Sequence, residues 1–204
     1  MRITADAVEG AQSRAGGTAR WAKAITDAGA PWVLNAVVPV AVGAALGAPW
    51  WGAFVSLVAG VLPIAMIVAM MVRRRVGDVH VTDRSERTGV IAGIVFFVMA
   101  GLVVELAASA PAWVVAVTAA GLVTILVVGA VTVLGRWKVS VHTAVAGGWV
   151  VLAAGLVSPW VLAAAPLVAV IGWSRVVLRD HTAAQVLVGA ALGAALSAAA
   201  VAWV

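Results

Sequence analysis

Long apolar runs separated by short polar segments constrain this chain more than any other feature of its sequence. A run of roughly 18 or more apolar residues is a candidate transmembrane helix. The chain is 64% hydrophobic and only 10% charged, so it has too few charged side chains to cover a soluble domain. These features exclude a soluble enzyme, a coiled coil and a disordered chain, and they predict an integral membrane protein.

The runs predict an all-α fold, a polytopic transmembrane bundle of six to seven helices, because lipid-exposed backbone must satisfy its own hydrogen bonds. Tight turns leave six spans plus one re-entrant or interfacial segment as the alternative to seven. Residues 1–29 are predicted to be a cytoplasmic N-terminal segment able to form an interfacial helix, and 30–204 a single transmembrane bundle that holds the catalytic site. The seven candidate spans are 31–48, 50–72, 88–108, 112–134, 141–157, 159–174 and 182–204.

The basic residues are distributed unevenly along these spans. All 13 Lys and Arg residues lie in the N-terminal segment or in the loops after the second, fourth and sixth spans. Even numbers of crossings place these segments on one face, which the positive-inside rule makes cytoplasmic. The basic balance therefore reflects membrane topology, and it does not indicate a nucleic-acid partner.

The polar loops of this face also carry the groups that chemistry needs. His80, His142 and His181 all lie there, together with Arg, Lys and Ser side chains. Such a cluster at the mouth of a helical bundle suits an anion, most simply a phosphate, and imidazoles can act as nucleophile and general acid. The alternative is that the cations only anchor helices at the lipid headgroups, which is preferred for Arg73–Arg75. With no cysteine and no acidic cluster, the sequence predicts no metal and no cofactor.

Three separated signatures stand in these loops. They are H-x6-R-T from His80 to Thr88, V-S-V-H over 139–142, and S-R-x5-H-x3-Q over 174–185. Their order and spacing resemble the type 2 phosphatidic acid phosphatase family, relatives of the vanadium haloperoxidases, whose signatures are K-x6-R-P, P-S-G-H and S-R-x5-H-x3-D. The resemblance covers residues 73–204, and the strings K-V-S-V-H-T and D-H-T-x-x-Q look like an actinobacterial branch.

The resemblance implies a division of labour. His181 would attack phosphorus and form a phosphohistidine, and His142 would protonate the leaving oxygen. A transferring phosphoryl group needs fixed cations and hydrogen-bond donors around it. The residues expected to hold it are Arg87, Arg175, Ser140, Lys138, His80 and Ser174.

Two departures from the family pattern bear on this chemistry. Gln185 stands where the family has an Asp, one helical turn after the nucleophile. A Gln amide oxygen accepts a hydrogen bond from the imidazole but supplies no negative charge, so His181 is expected to be a weaker nucleophile unless Asp180 or Asp78 substitutes. His80 stands where the family has a Lys, which places an imidazole at one phosphate contact.

Some of the 10 tryptophans in the chain are a second set of candidate site residues. Trp149 and Trp173 lie near the predicted site and are expected to line an apolar chamber for an isoprenoid chain, with lipid or packing contact as the alternative. Indole faces also stabilise cations. Trp50, Trp51, Trp113 and Trp160 lie at the opposite ends of spans and are interpreted as interface anchors.

The sequence therefore predicts a membrane phosphatase that hydrolyses a lipid phosphate or prenyl diphosphate, with membrane lipids as its surroundings. The first alternative is a terpene-synthase-like lyase or prenyl transferase that ionises a prenyl diphosphate in the same site. The second is a non-enzymatic membrane protein, such as a transporter or scaffold. A transporter is expected to carry polar residues near mid-span, and these spans hold few beyond Asn35 and Glu105.

Overall fold

The computed structural model describes residues 5–81 and 86–204, and within these ranges it contains helices and no β-strand. The all-α prediction is confirmed. The helices are α1 Ala5–Ala28, α2 Pro31–Ala45, α3 Pro49–Ser56, α4 Leu62–Val72, α5 Arg87–Ala107, α6 Ala112–Val133, α7 Val141–Leu156, α8 Ala165–Val177 and α9 Ala183–Trp203. A π-helical turn, Leu57–Val61, joins α3 to α4, and a 3₁₀ turn, Pro159–Ala164, leads into α8.

Every predicted span corresponds to a helix or to a continuous pair of helices. Among the described residues, five segments are each long and apolar enough to cross a membrane, which supports an integral membrane protein in contact with lipid. Helices α1 and α2 meet at a bend of 47° and together form a sixth candidate, and α7 is shorter, at 16 residues. The five segments are Pro49–Val72, Thr88–Ala107, Ala112–Val133, Pro159–Val177 and Ala183–Trp203.

Proline marks several of the helix starts. Pro31, Pro49 and Pro159 each occupy a first helical position. Proline has no N–H to leave unsatisfied there, and its fixed φ suits the first turn. Each of these prolines therefore marks the residue at which a helical segment begins.

Helices α7 and α9 form the closest packed pair. A Cβ on Gly193 would collide with the carbonyl oxygen of Ala144, and one on Gly189 would collide with the carbonyl oxygen of Ser140. Only glycine lets the two backbones approach this closely, as in small-xxx-small pairs of membrane helices. This contact sets the start of α7 against the first turn of α9, where two of the sequence signatures meet.

The C-terminal half of α1 belongs to the bundle as well. Ala22, Thr26 and Ala30 are buried, and the Thr26 and Ser174 hydroxyls lie 2.8 Å apart. The division expected after residue 29 coincides with the break between α1 and α2. The last turns of α1 nevertheless pack along α8 at the end of the bundle that carries the histidines.

Candidate functional site

A cavity of about 190 Å³ begins where the histidine-bearing loops meet and extends into the apolar interior of the bundle. Its polar end is formed by His80, His142, Arg175 and His181. Its deeper walls are apolar and include Ile67, Val117, Val128, Trp149 and Leu152. The structure therefore brings together four of the residues that sequence reasoning selected, at the head of a space suited to an amphipathic molecule.

The third signature is held by its own local hydrogen bonds. Arg179 adopts a left-handed conformation, with φ of 60°, which turns the chain back after α8. The amides of Asp180 and His181 then both donate to the carbonyl of Arg175, at 3.1 and 3.2 Å. Thr182 caps α9 in a capping box with Gln185, so the segment from α8 to α9 is fixed on both sides of His181.

The hydrogen bonds around His181 determine which ring nitrogen carries its proton. Nδ1 lies 3.2 Å from both the Gln185 amide oxygen Oε1 and the Lys138 carbonyl oxygen. Gln185 Oε1 also accepts the Thr182 amide at 3.1 Å, which identifies it as an oxygen that can only accept. Nδ1 must therefore be the donor, and the neutral ring carries its lone pair on Nε2. Gln185 therefore contacts the ring of His181, and its predicted orienting role stays a prediction.

Arg175 is the most deeply buried cation of the site, with 1% of its side chain exposed. Its Nη2 lies 3.0 Å from Asp180 Oδ2, so the carboxylate of Asp180, a predicted orienting residue, forms an ion pair with the guanidinium. Within the described parts of the chain, Arg175 Nε and Nη1 have no hydrogen-bond partner. Arg175 lines the cavity and thus holds two buried donors ready for an anion.

The second signature lies at the start of α7. Ser140 is the N-cap residue, fully buried, and its amide donates to the Gln185 carbonyl at 3.2 Å. His142, the second residue of the helix, lines the cavity. Lys138 supplies the carbonyl oxygen beside His181, and its half-buried side chain is not among the described cavity-lining groups. Val139, a departure from the family pattern, is buried against Val128 and Ala144.

His80 of the first signature is positioned by residues from outside the signatures. Its Nε2 lies 2.9 Å from Asp27 Oδ1, and its backbone amide donates to Asp78 Oδ1 at 2.8 Å. The ring centroid of Trp32 lies 4.9 Å from that of His80, and the ring of His142 lies 5.3 Å away on another side. Sequence reasoning missed Asp27 and Trp32, because no local pattern connects either of them to residue 80.

Trp149 lines the cavity as expected, and its orientation is fixed. The indole N–H donates to Asn35 Oδ1 at 2.8 Å, and Asn35 Nδ2 donates to the carbonyl of Ala59 at 3.1 Å. Ala59 belongs to the π-helical turn, where the regular helical hydrogen bonding is interrupted. The indole is therefore held rigidly in the wall of the cavity.

Ser174 and Trp173, two further expected residues, lie outside the cavity. The Ser174 hydroxyl donates to the Ile171 carbonyl at 2.7 Å and contacts Thr26, so it links α8 to α1. Trp173 has 43% of its surface exposed on the outside of the bundle. Neither is among the residues that line the cavity in the described chain. Arg87 begins α5, and its side chain lies outside the described part.

The described side chains form no group of three His, Cys, Asp or Glu residues that could hold a metal ion. Comparison of the chain with known proteins finds no matching family model, no matching curated protein and no matching solved structure.

Proposed function

We propose that the protein is a membrane-embedded phosphatase that hydrolyses a lipid phosphate or prenyl diphosphate through a phosphohistidine on His181. The observation that carries the proposal is the buried guanidinium of Arg175. Two of its donors have no partner in the described structure and it faces the cavity. Buried donors without an acceptor are costly, and a phosphoryl group offers the oxygens that a guanidinium binds best.

The tautomer of His181 suits it to attack phosphorus. Its Nδ1 proton is directed to Gln185 and Lys138, so the Nε2 lone pair forms the new N–P bond. The bond from phosphorus to the leaving oxygen breaks, and His142 supplies the proton which that oxygen takes up. In the second step a water attacks phosphorus, the N–P bond breaks, and His142 recovers a proton from the water.

The surroundings of phosphorus support the same assignment. Arg175 would hold two phosphoryl oxygens, and Asp180 keeps its guanidinium in place. Arg87, Ser140 and Lys138 remain candidates for further contacts, as the resemblance implies. Because Gln185 is neutral, the positive charge that develops on His181 gains less stabilisation than a carboxylate would give.

The apolar part of the cavity accounts for the substrate class. Walls such as Val117 and Leu152 favour a hydrocarbon chain attached to the phosphate. By the positive-inside rule, the basic loops support an opening of the site on the cytoplasmic face of a bacterial cell membrane. This orientation favours substrates made in the cytosol.

A second candidate is a lyase or prenyl transferase that ionises a prenyl diphosphate. The fixed indole of Trp149 in the cavity wall favours it, because an aromatic face stabilises an allylic cation. The orientation of His181 favours hydrolysis instead, since ionisation of a diphosphate needs no nucleophile.

Product analysis on the purified full chain separates these activities. Farnesyl diphosphate, geranylgeranyl diphosphate and phosphatidic acid are supplied separately, and phosphate and organic products are both measured. We expect wild type to release phosphate and His181→Ala to have lost that release. When the wild-type reaction is quenched during turnover, we expect a phosphohistidine to be detected on the protein. A cyclic hydrocarbon with intact diphosphate would instead establish the lyase, and undiminished phosphate release by His181→Ala would exclude the phosphohistidine mechanism.

Trp173→Phe is the matched control for that experiment. Trp173 lies on the outer surface next to the same signature, so this variant tests whether any change in the α8 region lowers turnover. We expect it to keep the activity of the wild type.

A further inference from the structure

We infer that Asp27, on the N-terminal helix, is a positioning residue of this site that holds His80 for contact with a bound phosphoryl group. The identity of the ligand rests on the proposed function, whereas the contact between Asp27 and His80 stands without it. Nothing in the three signatures points to the N-terminal segment. The contact with His80 nevertheless makes that segment part of the machinery of the site.

The packing of α1 gives Asp27 a fixed place. Ala22 and Ala30, on either side of it, have no exposed surface, and neighbouring Thr26 contacts the Ser174 hydroxyl. A Cβ on Gly29 would lie 2.7 Å from a side-chain carbon of Ile171, so the end of α1 sits tightly on α8. The carboxylate is therefore presented by a packed helix, which is the kind of support that keeps a functional side chain in position.

The contact with Asp27 determines what His80 offers to the cavity. A carboxylate only accepts, so the 2.9 Å contact identifies His80 Nε2 as the protonated nitrogen. The other nitrogen, Nδ1, is buried and has no hydrogen-bond partner among the described residues. The ring contacts those of Trp32 and His142, and His80 lines the cavity. Asp27 therefore binds one ring nitrogen and leaves the other available to a ligand.

The charges that face His80 come from several elements. The carboxylate of Asp27, on α1, also forms an ion pair with Lys23, whose Nζ lies 2.9 Å away. The carboxylate of Asp78 accepts a hydrogen bond from the His80 backbone amide. Neighbouring α7 and α8 contribute His142 and Arg175 to the same cavity. A phosphoryl dianion at Nδ1 and the carboxylate at Nε2 together stabilise a ring protonated on both nitrogens, which donates to each. Asp27 thereby lets an imidazole serve where the resembling family uses a lysine.

The first test observes His80 directly. The chain has three histidines, so ring-¹⁵N-labelled histidine gives a small set of signals in detergent micelles, which single variants such as His80→Gln assign. We expect inorganic phosphate to move both ring nitrogens of His80 towards the doubly protonated state in wild type, and this response to be lost in Asp27→Asn. Asn is the same size but carries no charge. Wild-type signals and a wild-type response in Asp27→Asn would overturn the inference.

The second test asks whether Asp27 acts through His80. We expect Asp27→Asn to lower kcat/KM for phosphate release by about tenfold to a hundredfold, mainly through KM, since a charge-assisted hydrogen bond is lost. In a His80→Lys background the same substitution should have little effect, because lysine carries its charge without a partner. An equal loss in both backgrounds would mean that Asp27 serves only the fold. Arg20→Gln, exposed on the same helix, is the control and should behave like wild type.

The two tests separate the two proposals. If Asp27→Asn alters the His80 response but no variant, including wild type, releases phosphate, the positioning role stands and the proposed hydrolysis fails. If wild type releases phosphate and neither the NMR response nor kcat/KM depends on Asp27, the inference fails and the phosphatase stands.

Discussion

The third signature and the first signature reach the same cavity by different means. Around His181 the side-chain contacts are local: Gln185 is four residues away, and Asp180 pairs with Arg175 five residues before it. One backbone contact of His181, to the carbonyl oxygen of Lys138, comes from 43 residues earlier. Around His80 the decisive partner is Asp27, 53 residues earlier on another helix. The first arrangement depends mainly on one turn and one helix cap, and the second on the packing of α1 against α8. Variants in the local network should therefore change the chemistry, and variants in the distant network should change how firmly the site is assembled.

The strongest test of the local network is the loss of its buried guanidinium. We expect Arg175→Ala to lower kcat/KM by about a hundredfold to a thousandfold, the usual effect of removing an essential donor to a transition-state oxygen. Arg175→Lys keeps the charge but loses the planar fork, and we expect a loss of about tenfold. Initial-rate measurements with a saturating range of substrate check both values.

Arg175→Ala also removes the partner of Asp180, so folding must be checked separately. The double variant Arg175→Ala with Asp180→Asn removes the uncompensated charge. If it migrates as wild type on size exclusion and is equally inactive, the loss belongs to catalysis. Activity within threefold of wild type in Arg175→Ala would show that phosphate is bound elsewhere.

The local network also allows a gain of function. Gln185→Glu keeps the side-chain length and the oxygen that accepts from Thr182 and His181, and it adds the negative charge that is missing beside the imidazole. We expect phosphate release about tenfold faster, since stabilising a cationic histidine by a little over 1 kcal/mol gives that factor. Single-turnover rates measure the phosphorylation step directly.

Gln185→Asp is the informative comparison for this variant. Asp matches the residue of the resembling family but is one methylene shorter. Its carboxylate therefore no longer reaches the backbone amide of Thr182, and the capping box is lost. We expect a smaller gain than with Glu. Slower release in both acidic variants would show that Gln185 does something other than orient a hydrolytic nucleophile.

The smallest effect is expected in the seam between α1 and α8. Ser174 donates its own proton to the Ile171 carbonyl, so its oxygen must accept from Thr26. Thr26→Val removes this bond at nearly constant shape, at a cost of about 1 kcal/mol. We expect the melting temperature to fall by about 2–4 °C and activity to fall by no more than a few-fold. Thr26→Ser keeps the hydroxyl and should melt as wild type does. Equal melting temperatures of Thr26→Val, Thr26→Ser and wild type would show that this hydrogen bond does not stabilise the fold.

The fold was predictable from the sequence because its signals are local. Apolar runs and the prolines that begin helices, such as Pro31 and Pro159, indicate where spans start. The rotation of a span about its own axis was not predictable. Helix α8 is apolar nearly all round, so no pattern shows which side faces lipid, and Trp173 lies outward although it stands between buried neighbours in the chain.

The site was predictable to the same extent. The four-residue spacing of His181 and Gln185 puts them together on one helix start, and even numbers of crossings bring the histidine loops to one face. Asp27 and Trp32 escaped because contacts between distant helices depend on which spans become neighbours in the bundle. A sequence alone, without related sequences to compare, carries no signal of such a pairing.

The docking of α1 against α8 has a consequence for synthesis. Thr26 and Ser174 are 148 residues apart, so α8 is made after most of the helices that lie between α1 and α8 in the chain. Until α8 enters the membrane, the last turns of α1 lack the helix along which they pack. Asp27 can meet His80 before then, but the cavity still lacks Arg175 and His181. The growing chain therefore acquires a complete site only after α8 and the start of α9 have been made.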